Sequence, residues 1–400
     1  MAKISSADSR QQRLHAARAR FMGGEQLPAA LLPPPVARSW ERSRGIGLLP
    51  SSTPQYELLD KSRTVSGSKN DRRLFSCVVD EIEQLWDAFG GTDWTIFCVN
   101  TAGTVVHARR SPTCDDDLLL PITSGRRIVE SNIGTTAPSC VIHDGIETIV
   151  AGGEHYLDEF ERVFCLAVPL FGFHGEVIGA LDITGTGKRD VAQVQEQFRL
   201  AALAAEQRLF ATLRGCHLLR LQHDPRWLGT PLAGVLAVEE DGQVRAASRM
   251  ARRMLSLPAG APLPVLDLRQ IFDDAPPAQL NRLLQRGRGA QRIARADGSH
   301  VWVAYARAPL NRSTARRSDH AAVARFDEPA PAAAVTHSKA SLQEQTLDAI
   351  QRAIKEHDGN IAAAARQLGL SRTTLYAKLR QLRETGMIGD GPATQPDLRN

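Results

Sequence analysis

A glycine-rich turn with a lysine, GTGK, ends the apolar run ALDIT at residues 180–188 and raises the question of phosphate binding. A phosphate-binding loop requires Gly-x-x-x-x-Gly-Lys-Ser/Thr, because backbone amides cradle the phosphates and the hydroxyl holds magnesium. In this chain Asp182 occupies the position of the first glycine, and Arg189 occupies the position of the hydroxyl. Both required groups are missing, so the stretch is interpreted as the end of a strand and its exit into a helix.

A basic segment in the last sixty residues contains the start and stop signals of three helices. Leu342–His357, Ile361–Leu368 and Arg372–Arg383 are separated by the breakers HDGN and GLS, and Asn360 and Ser371 are suited to cap the second and third helices. Two helices joined by a short turn with glycine are typical of a helix-turn-helix, whose second helix enters the major groove. Every charged residue in these last two helices is basic.

The residues expected to contact DNA lie at the caps and along the third helix. Arg372 is suited to read a guanine edge, a contact that contributes roughly 1–3 kcal/mol of discrimination. The predicted DNA-binding residues are Asn360, Ser371, Arg372, Thr373, Thr374, Tyr376, Lys378 and Arg380. A small helical bundle with a solvated basic face is the alternative. The small residues, the glycine turn and the cap agree with one another and favour DNA binding.

The composition limits the class of protein. Of the 400 residues, 42% are hydrophobic and 23% are charged, and the formal net charge is +5, which is compatible with a polyanionic partner without requiring one. None of the six cysteines forms a Cys-x-x-Cys pair, so neither a metal site nor a cofactor is predicted. Because the chain lacks an apolar signal segment and a long apolar run, a cytoplasmic protein with reduced thiols and no membrane span is expected.

Two α+β domains are predicted on either side of a long helix. In the first, an amphipathic helix from Leu74 precedes the strand-like runs WTIFCV and TVVHAR, and the later pair VFCLAVPLF and EVIGALDIT is joined by the turn GFHG. This order favours helices packed on an antiparallel sheet. Residues 190–222 are rich in good helix formers and are predicted to continue as one helix. A second domain with Asp-Gly hairpins begins near Pro231.

These elements predict seven segments. They are an N-terminal extension with a short helix (1–70), the first α+β domain (71–189), a linker helix (190–226), the second α+β domain (227–328), a Pro/Ala linker (329–340), the helix-turn-helix (341–383) and a flexible tail (384–400).

Several of these segments resemble known regulators. Residues 341–383 resemble the Fis-type domain that ends many bacterial enhancer-binding regulators. The stretch SWERSRGIGLLP and the region from Asn132 to Gly185 resemble the N-terminal element and the GAF-type sensor of the acetoin-catabolism-regulator group of sigma-54-dependent activators. The second α+β unit is similar to a PAS domain, with weaker motifs. The resemblance implies a multidomain α+β chain with a GAF-like sensor, a long linker helix, a PAS-like domain and a C-terminal three-helix Fis-type domain.

The chain differs from that group in the region of the ATPase domain. Full-length members carry a AAA+ ATPase between the sensor and the DNA-binding domain. Here the phosphate-binding loop fails at Asp182 and Arg189, and no loop similar to the polymerase-contacting GAFTGA is present. The resemblance therefore implies a regulator that lacks the AAA+ ATPase domain, which puts activation of sigma-54 polymerase by this chain alone in doubt.

The GAF-type resemblance implies a ligand pocket between the sheet and its capping helices. The predicted effector-binding residues are Trp94, Phe97, Ile133, Thr135, Cys140, His155, Tyr156, Phe160 and Cys165. For the aromatic and aliphatic members, an ordinary core role is the alternative. Cys140, His155 and Cys165 leave a redox or metal site open, although buried cysteines commonly act as small hydrophobic residues.

The leading hypothesis is a sequence-specific DNA-binding transcriptional regulator with a small-molecule-sensing domain and no ATPase of its own. Its expected partners are double-stranded DNA, a second copy of the chain and a small-molecule effector. The alternative is a non-catalytic interaction protein that modulates a full-length sigma-54-dependent activator by heterodimerisation, and RNA polymerase is a further partner left open. No Ser/His/Asp or Cys/His arrangement argues for an enzyme.

Overall fold

The structure is a computed structural model that describes residues 6–28, 30–58, 68–187, 191–259, 263–310 and His357. The chain divides into two units, Met1–Ala322 and Val323–Asn400, and the elements below belong to the first. The predicted end of the second α+β domain at 311–328, the linker 329–340, the three helices of 341–383 and the tail 384–400 lie outside the described residues, except His357, which is in a turn.

The helices in chain order are α1 (Ser6–Met22), α2 (Pro34–Gly45), α3 (Lys69–Phe89), α4 (Glu130–Ile133), α5 (Ala137–Asp144), α6 (Val191–Ala211), α7 (Arg249–Met254), α8 (Leu268–Ile271) and α9 (Pro277–Leu283). The strands are β1 (Glu57–Leu58), β2 (Trp94–Asn100), β3 (Val105–Arg110), β4 (Arg126–Arg127), β5 (Thr148–Ala151), β6 (Phe164–Phe171), β7 (Val177–Gly185), β8 (His217–Gln222), β9 (Gly234–Val238), β10 (Val244–Ala247), β11 (Gln291–Ala294) and β12 (His300–Arg307).

The first sheet has five antiparallel strands in the order β3-β2-β7-β6-β5. The predicted hairpin of VFCLAVPLF with EVIGALDIT is confirmed as β6 and β7. One face of the sheet is covered by the amphipathic helices α3 and α6, and the other by α5 with the N-terminal helices. Its central strands are buried on both faces, so their sequences are nearly continuous apolar runs.

The N-terminal segment corrects the sequence prediction. Residues 1–70 were expected to be an extension with one short helix, but α1 and α2 pack into the core of the first domain. Leu14 and Phe21 on α1, and Val36 and Trp40 on α2, are buried because their spacing of seven and four residues places each pair on one helix face. The expected boundary at 70/71 falls inside α3, which Ser68 caps by accepting from the backbone N–H of Asp71.

The linker helix is also shorter than expected. A helix was predicted to continue to residue 222 and a linker to 226, but α6 ends at Ala211 and the chain turns at Gly215, where φ is +71°. The run HLLRLQ then forms β8, the middle strand of the second sheet, whose order is β10-β9-β8-β12-β11. Leucines of β8 are buried on both faces, and such a short apolar run does not distinguish strand from helix by periodicity.

The second sheet is antiparallel and covered on one face by α7, α8 and α9. Its other face packs against the end of α6 through Phe210, whose ring meets that of Phe173 edge-on at 5.4 Å. Across the described residues, no helix is long and apolar enough to cross a membrane.

Candidate effector site

The predicted effector residues fall mainly on the sheet face beneath α2 and α5. Phe97, Ile133, Cys140, Tyr156, Phe160 and Cys165 belong to one buried cluster. Thr135 and His155 are also buried there, within hydrogen-bonding distance of Ser39 and Cys165, respectively. All of these side chains pack against neighbours, and the effector role predicted for them stays a prediction.

Trp94 is the exception, and its assignment to this site was wrong. It belongs to the cluster beneath α3 and α6, where its ring meets that of Phe164 edge-on at 6.0 Å. Successive side chains of a strand point to opposite faces, so Trp94 and Phe97, three residues apart on β2, cannot share a face.

A chain of polar contacts crosses the buried face. His155 Nδ1 lies 3.0 Å from the carbonyl oxygen of Gly152, and its Nε2 lies 3.4 Å from Cys165 Sγ. The Thr184 hydroxyl lies 3.2 Å from the same sulfur and 2.6 Å from Asp182 Oδ1. Thr184 was not among the predicted residues, and Asp182 was considered only as the position of a missing glycine. The sequence signal for this site was the presence of two polar residues, Asp182 and Thr184, at alternate positions of an otherwise apolar strand.

Burial keeps the titratable side chains of these polar contacts, and Cys140 on the same face, uncharged. It lowers the pKa of His155 to about 4 and raises the pKa of Cys140 to about 12. It also raises the pKa values of the Cys165 thiol and the Asp182 carboxyl well above their usual ranges. A thiol held protonated is a poor nucleophile and a poor metal ligand. Within the described part of the chain, no group of three or more His, Cys, Asp or Glu side chains could hold a metal ion.

The N-terminal helices cover this face. Trp40 on α2 packs edge-on against Tyr156 at 5.9 Å, and its indole N–H donates to the carbonyl oxygen of Glu154 at 2.8 Å. Arg42 pairs with the buried Glu130 at 2.6 Å. The N-terminal helices are therefore part of the candidate site, although none of the predicted effector residues lies on them. The four-residue spacing of Val36 and Trp40, the second of which lies in the quoted N-terminal motif, was the sequence signal for a buried helix face.

Arg18 on α1 also covers this face of the sheet. Its guanidinium is buried, pairs with Asp158, and donates to the carbonyl oxygens of Gly153 at 2.7 Å and His155 at 2.8 Å. The loop that carries His155 is thus held from the outside by α1 and from the inside by Cys165.

The buried histidine predicts an acid-side loss of stability. In the folded chain the pKa of His155 is about 4, below its ordinary value of about 6.5. As the pH falls from about 6.5 to about 4, the histidine therefore becomes protonated in the unfolded chain but stays neutral in the folded chain. The free energy of unfolding should therefore fall by up to about 3 kcal/mol as the pH falls through that window. His155→Asn keeps a donor for Gly152 and removes this dependence, as measured by urea unfolding at about pH 5 and about pH 7.5. His174→Asn, at an exposed position, should keep the wild-type slope, and an unchanged slope in His155→Asn would contradict the assignment.

The helix α6 joins the first domain to the second through a buried carboxylate. Glu206 accepts from the backbone N–H of Phe171 at 3.1 Å and pairs with Arg249 of α7 at 3.1 Å. The Arg249 guanidinium also lies over the Phe171 ring, 5.2 Å from its centre. Burial raises the pKa of Glu206 to about 7. Beside it, Gln207 donates to the carbonyl oxygens of Thr230 and Ala233.

A cavity of about 470 Å³ lies beside the connection from α6 to β8. It is lined by Arg214, Gly215, Glu239 and Arg245, and two of these side chains pair with each other at 3.7 Å, Arg245 with Glu239. The cavity is separate from the polar chain of the first domain and contains none of the predicted effector residues.

The predicted DNA-binding residues, Asn360, Ser371, Arg372, Thr373, Thr374, Tyr376, Lys378 and Arg380, lie outside the described residues. Comparison with known families nevertheless bears on their segment. Residues 347–382 match the family described as bacterial regulatory protein, Fis family. The match contains all eight of these positions.

Among curated proteins, an uncharacterized 47.3 kDa protein in the thcA 5′ region of Rhodococcus erythropolis is 25% identical over 177 residues. The match covers 44% of this chain and spans 40% of the length of that relative.

Three solved structures show distant similarity. The E. coli DhaR(N)–DhaL complex is 15% identical, covers 68% of this chain and 98% of its own, and has a TM-score of 0.39. An IclR homologue of Microbacterium hydrocarbonoxydans complexed with 4-hydroxybenzoate is 18% identical over 38% and 73% of the two chains, with a TM-score of 0.28. Pseudomonas aeruginosa HmgR is 12% identical over 52% and 98%, with a TM-score of 0.24. TM-scores this low do not establish a common fold.

The assignment therefore depends on the sequence match of residues 347–382 to the Fis family, whose helix-turn-helix binds DNA. Residues 347–382 are therefore assigned as a Fis-family helix-turn-helix segment, which supports a DNA-binding regulatory role.

Proposed function

We propose that this chain is a transcriptional regulator that binds operator DNA through residues 341–383 as a homodimer, and that a small-molecule effector in the first domain changes this binding. In this proposal the two α+β domains act as GAF-like and PAS-like modules in the cytoplasm, and no ATPase motor or catalytic step is used. The Fis-family match at residues 347–382 is the observation that carries the proposal. Two-fold symmetry of the dimer would place the two recognition helices on an inverted repeat.

The route from sensor to DNA begins at α6. This helix lies on the sheet of the first domain, and its buried Glu206 binds Phe171 of that sheet and Arg249 of the second domain. A ligand that favours one position of α6 changes this contact, and it shifts the equilibrium only by its difference in affinity for the two positions. Coupling between two binding sites in regulators is typically about 1–3 kcal/mol.

The charge on Glu206 provides a test of that route. With a pKa of about 7, Glu206 is ionised and paired with Arg249 above neutrality and protonated below it. We expect the effector-induced change in operator affinity to be larger at about pH 8 than at about pH 6, because the ion pair joins α6 to α7 only in the ionised form. Because the folded pKa is raised, the folded chain retains a proton that the unfolded chain releases, so the free energy of unfolding from this group falls as the pH rises from about 4.5 to about 7.

Glu206→Gln retains an acceptor for the Phe171 N–H and removes the charge, so its response should be small at both pH values. Glu196→Gln is the matched control, because Glu196 lies exposed on the same helix and pairs only locally with Arg199. The measurement is operator affinity with and without the small-molecule fraction of a bacterial extract. A Glu206→Gln response that keeps the wild-type pH dependence would exclude this route.

The operator itself is obtained by a binding selection on genomic fragments, followed by footprinting. A discrete inverted-repeat footprint whose affinity changes with the small-molecule fraction supports the proposal. Sequence-blind, salt-sensitive binding would contradict it and favour the interaction protein, with co-purification of an ATPase-bearing relative as the next measurement.

A further inference from the structure

The second domain contains more arginine than its own acids neutralise. Residues 217–310 have 13 arginines, no lysine and 8 acidic residues. The resulting charge of +5 equals the formal net charge of the whole chain, so the remaining residues balance one another. The excess is concentrated in residues 282–296, which have five arginines and no acid. A local excess of positive charge of this kind attracts a polyanion.

One of these five arginines has a structural role. Arg295 lies 3.3 Å from Asp297 and donates to the carbonyl oxygens of Met254 and Leu255. The other four are exposed, and within the described ranges none of them has a carboxylate at ion-pair distance. These four, here called the arginine edge, are Arg282, Arg286, Arg288 and Arg292.

The arginine edge follows one border of the second domain. Arg282 lies on α9 and Arg292 on β11, and the other two lie in the connection 284–290. In the part of the chain that the structure describes, β11 is an end strand of its sheet. The side chain of Gln279 on α9 donates to the carbonyl oxygen of Arg292 at 3.1 Å, so the helix and the strand are joined here. The four arginines therefore lie along one continuous border.

This border is open to a large partner. A side chain added at Gly287 or Gly289 would meet no other atom of the described residues, so nothing covers the connection between α9 and β11 there. The Arg292 guanidinium donates to His300 Nδ1 at 3.3 Å, and this contact orients it at the strand without neutralising its charge.

We propose that the arginine edge binds the phosphate backbone of duplex DNA, as a DNA contact additional to the helix-turn-helix. The planar guanidinium donates two parallel hydrogen bonds to a phosphate, and such contacts fix a protein on DNA without reading its sequence. The inference goes beyond the proposed function, which assigns DNA binding to residues 341–383 alone. It uses DNA as the polyanion because the Fis-family match supports that partner independently.

An anionic membrane fits this border less well. Binding to a lipid surface combines basic side chains with exposed apolar ones that enter the bilayer. Here the apolar side chains between the arginines, Leu280, Leu283 and Ile293, are buried in the core of the domain. A second alternative is that the charges only prevent the end strand from pairing with another chain, in which case they do not affect DNA binding.

The test is the salt dependence of binding to a labelled DNA duplex of sequence unrelated to the operator. The intact chain is compared with Arg286→Gln/Arg288→Gln, which removes two charges from the arginine edge. We expect the slope of log affinity against log salt concentration to become shallower by about two in this variant. Between about 50 and 200 mM salt, wild type should therefore lose about tenfold more affinity than the variant.

Two further variants serve as controls. Arg20→Gln/Arg72→Gln removes two exposed arginines from α1 and α3 and should keep the wild-type slope. Arg286→Lys/Arg288→Lys retains both charges and should also keep that slope, because lysine binds phosphate as a point charge. Thermal unfolding of each variant shows that it is folded.

Three results would overturn the inference. The first is a wild-type slope in Arg286→Gln/Arg288→Gln. The second is an equal reduction in Arg20→Gln/Arg72→Gln, which would reflect net charge alone. The third is an unchanged DNA slope together with loss of binding to phosphatidylserine vesicles, which would assign the border to a membrane.

The operator footprint keeps this inference apart from the proposed function. If the slope changes as expected and no discrete footprint is found, the arginine edge stands and the regulatory proposal fails. If a discrete footprint is found and Arg286→Gln/Arg288→Gln keeps the wild-type slope, the regulator stands and the arginine edge fails.

Discussion

A chain that ends at Val335 is expected to lose sequence-specific DNA binding while its first two domains remain folded. The truncation removes the whole segment matched to the Fis family, residues 347–382. Specific protein–DNA complexes are typically about 10³–10⁷ tighter than the non-specific binding of the same protein, so the operator affinity should fall by at least about a thousandfold. Footprinting and equilibrium binding of the intact and truncated chains provide the measurement.

A single substitution refines this expectation. Arg372→Ala removes one predicted base contact and should weaken operator binding by about 1–3 kcal/mol, mainly at one base position. Arg253→Ala is the matched control, because Arg253 lies exposed on α7, outside the matched segment. If the truncated chain retains the footprint, the helix-turn-helix is not the DNA-binding element. If Arg253→Ala loses as much affinity as Arg372→Ala, the loss reflects net charge alone.

The salt dependence of the same measurement adds a second criterion. Each phosphate contact made by a lysine or arginine releases counterions, so the logarithm of the affinity falls linearly with the logarithm of the salt concentration. Replacing a phosphate-contacting residue such as Lys378 reduces that slope by about one, whereas replacing a base-reading residue changes base preference.

Trp40→Ala is expected to destabilise the first domain by about 3–5 kcal/mol. The indole has no exposed surface, meets Tyr156 edge-on at 5.9 Å, and donates to the carbonyl oxygen of Glu154. Its removal leaves a cavity between α2 and the loop of His155 and an unpaired carbonyl. Urea unfolding followed by far-ultraviolet circular dichroism measures the change, because that signal does not depend on the tryptophan itself.

Trp227→Ala is the control for this prediction. Trp227 is 48% exposed, so its truncation should change the free energy of unfolding by only about 0.5 kcal/mol. If Trp40→Ala were as mild as Trp227→Ala, then α1 and α2 would be an appendage, as the sequence first indicated. A chain that begins at residue 68 should then also be as stable as the full chain.

Elements with strong local patterns could be predicted from the sequence. The apolar spacing of α3 and the paired runs that became β6 and β7 required only information from neighbouring residues. The packing of α2 could not be derived in this way, because Trp40 meets a carbonyl 114 residues further along the chain. Local patterns show that a helix has a buried face, and tertiary contacts decide which surface buries it.

The candidate site shows the same limit. His155 and Cys165 were chosen for their chemical types, and the structure brings them to 3.4 Å. Trp94 was assigned to the pocket lining, although the alternation along β2 already placed it on the face opposite Phe97. Asp182 was considered only as a position in a phosphate-binding pattern, so its place on a buried strand was overlooked.

The direct passage from α6 into β8 limits how these domains can be exchanged between proteins. Only residues 212–216 separate the helix on the first sheet from the central strand of the second, and the side chain of Arg307 on β12 donates to the carbonyl oxygens of Ala211 and Leu213 in this connection. A hybrid gene cut at residues 217–222, inside the predicted linker 190–226, would divide the second sheet through its middle strand, β8. A hybrid protein that preserves both folds must instead contain residues 6–310 together, with the fusion point placed after β12.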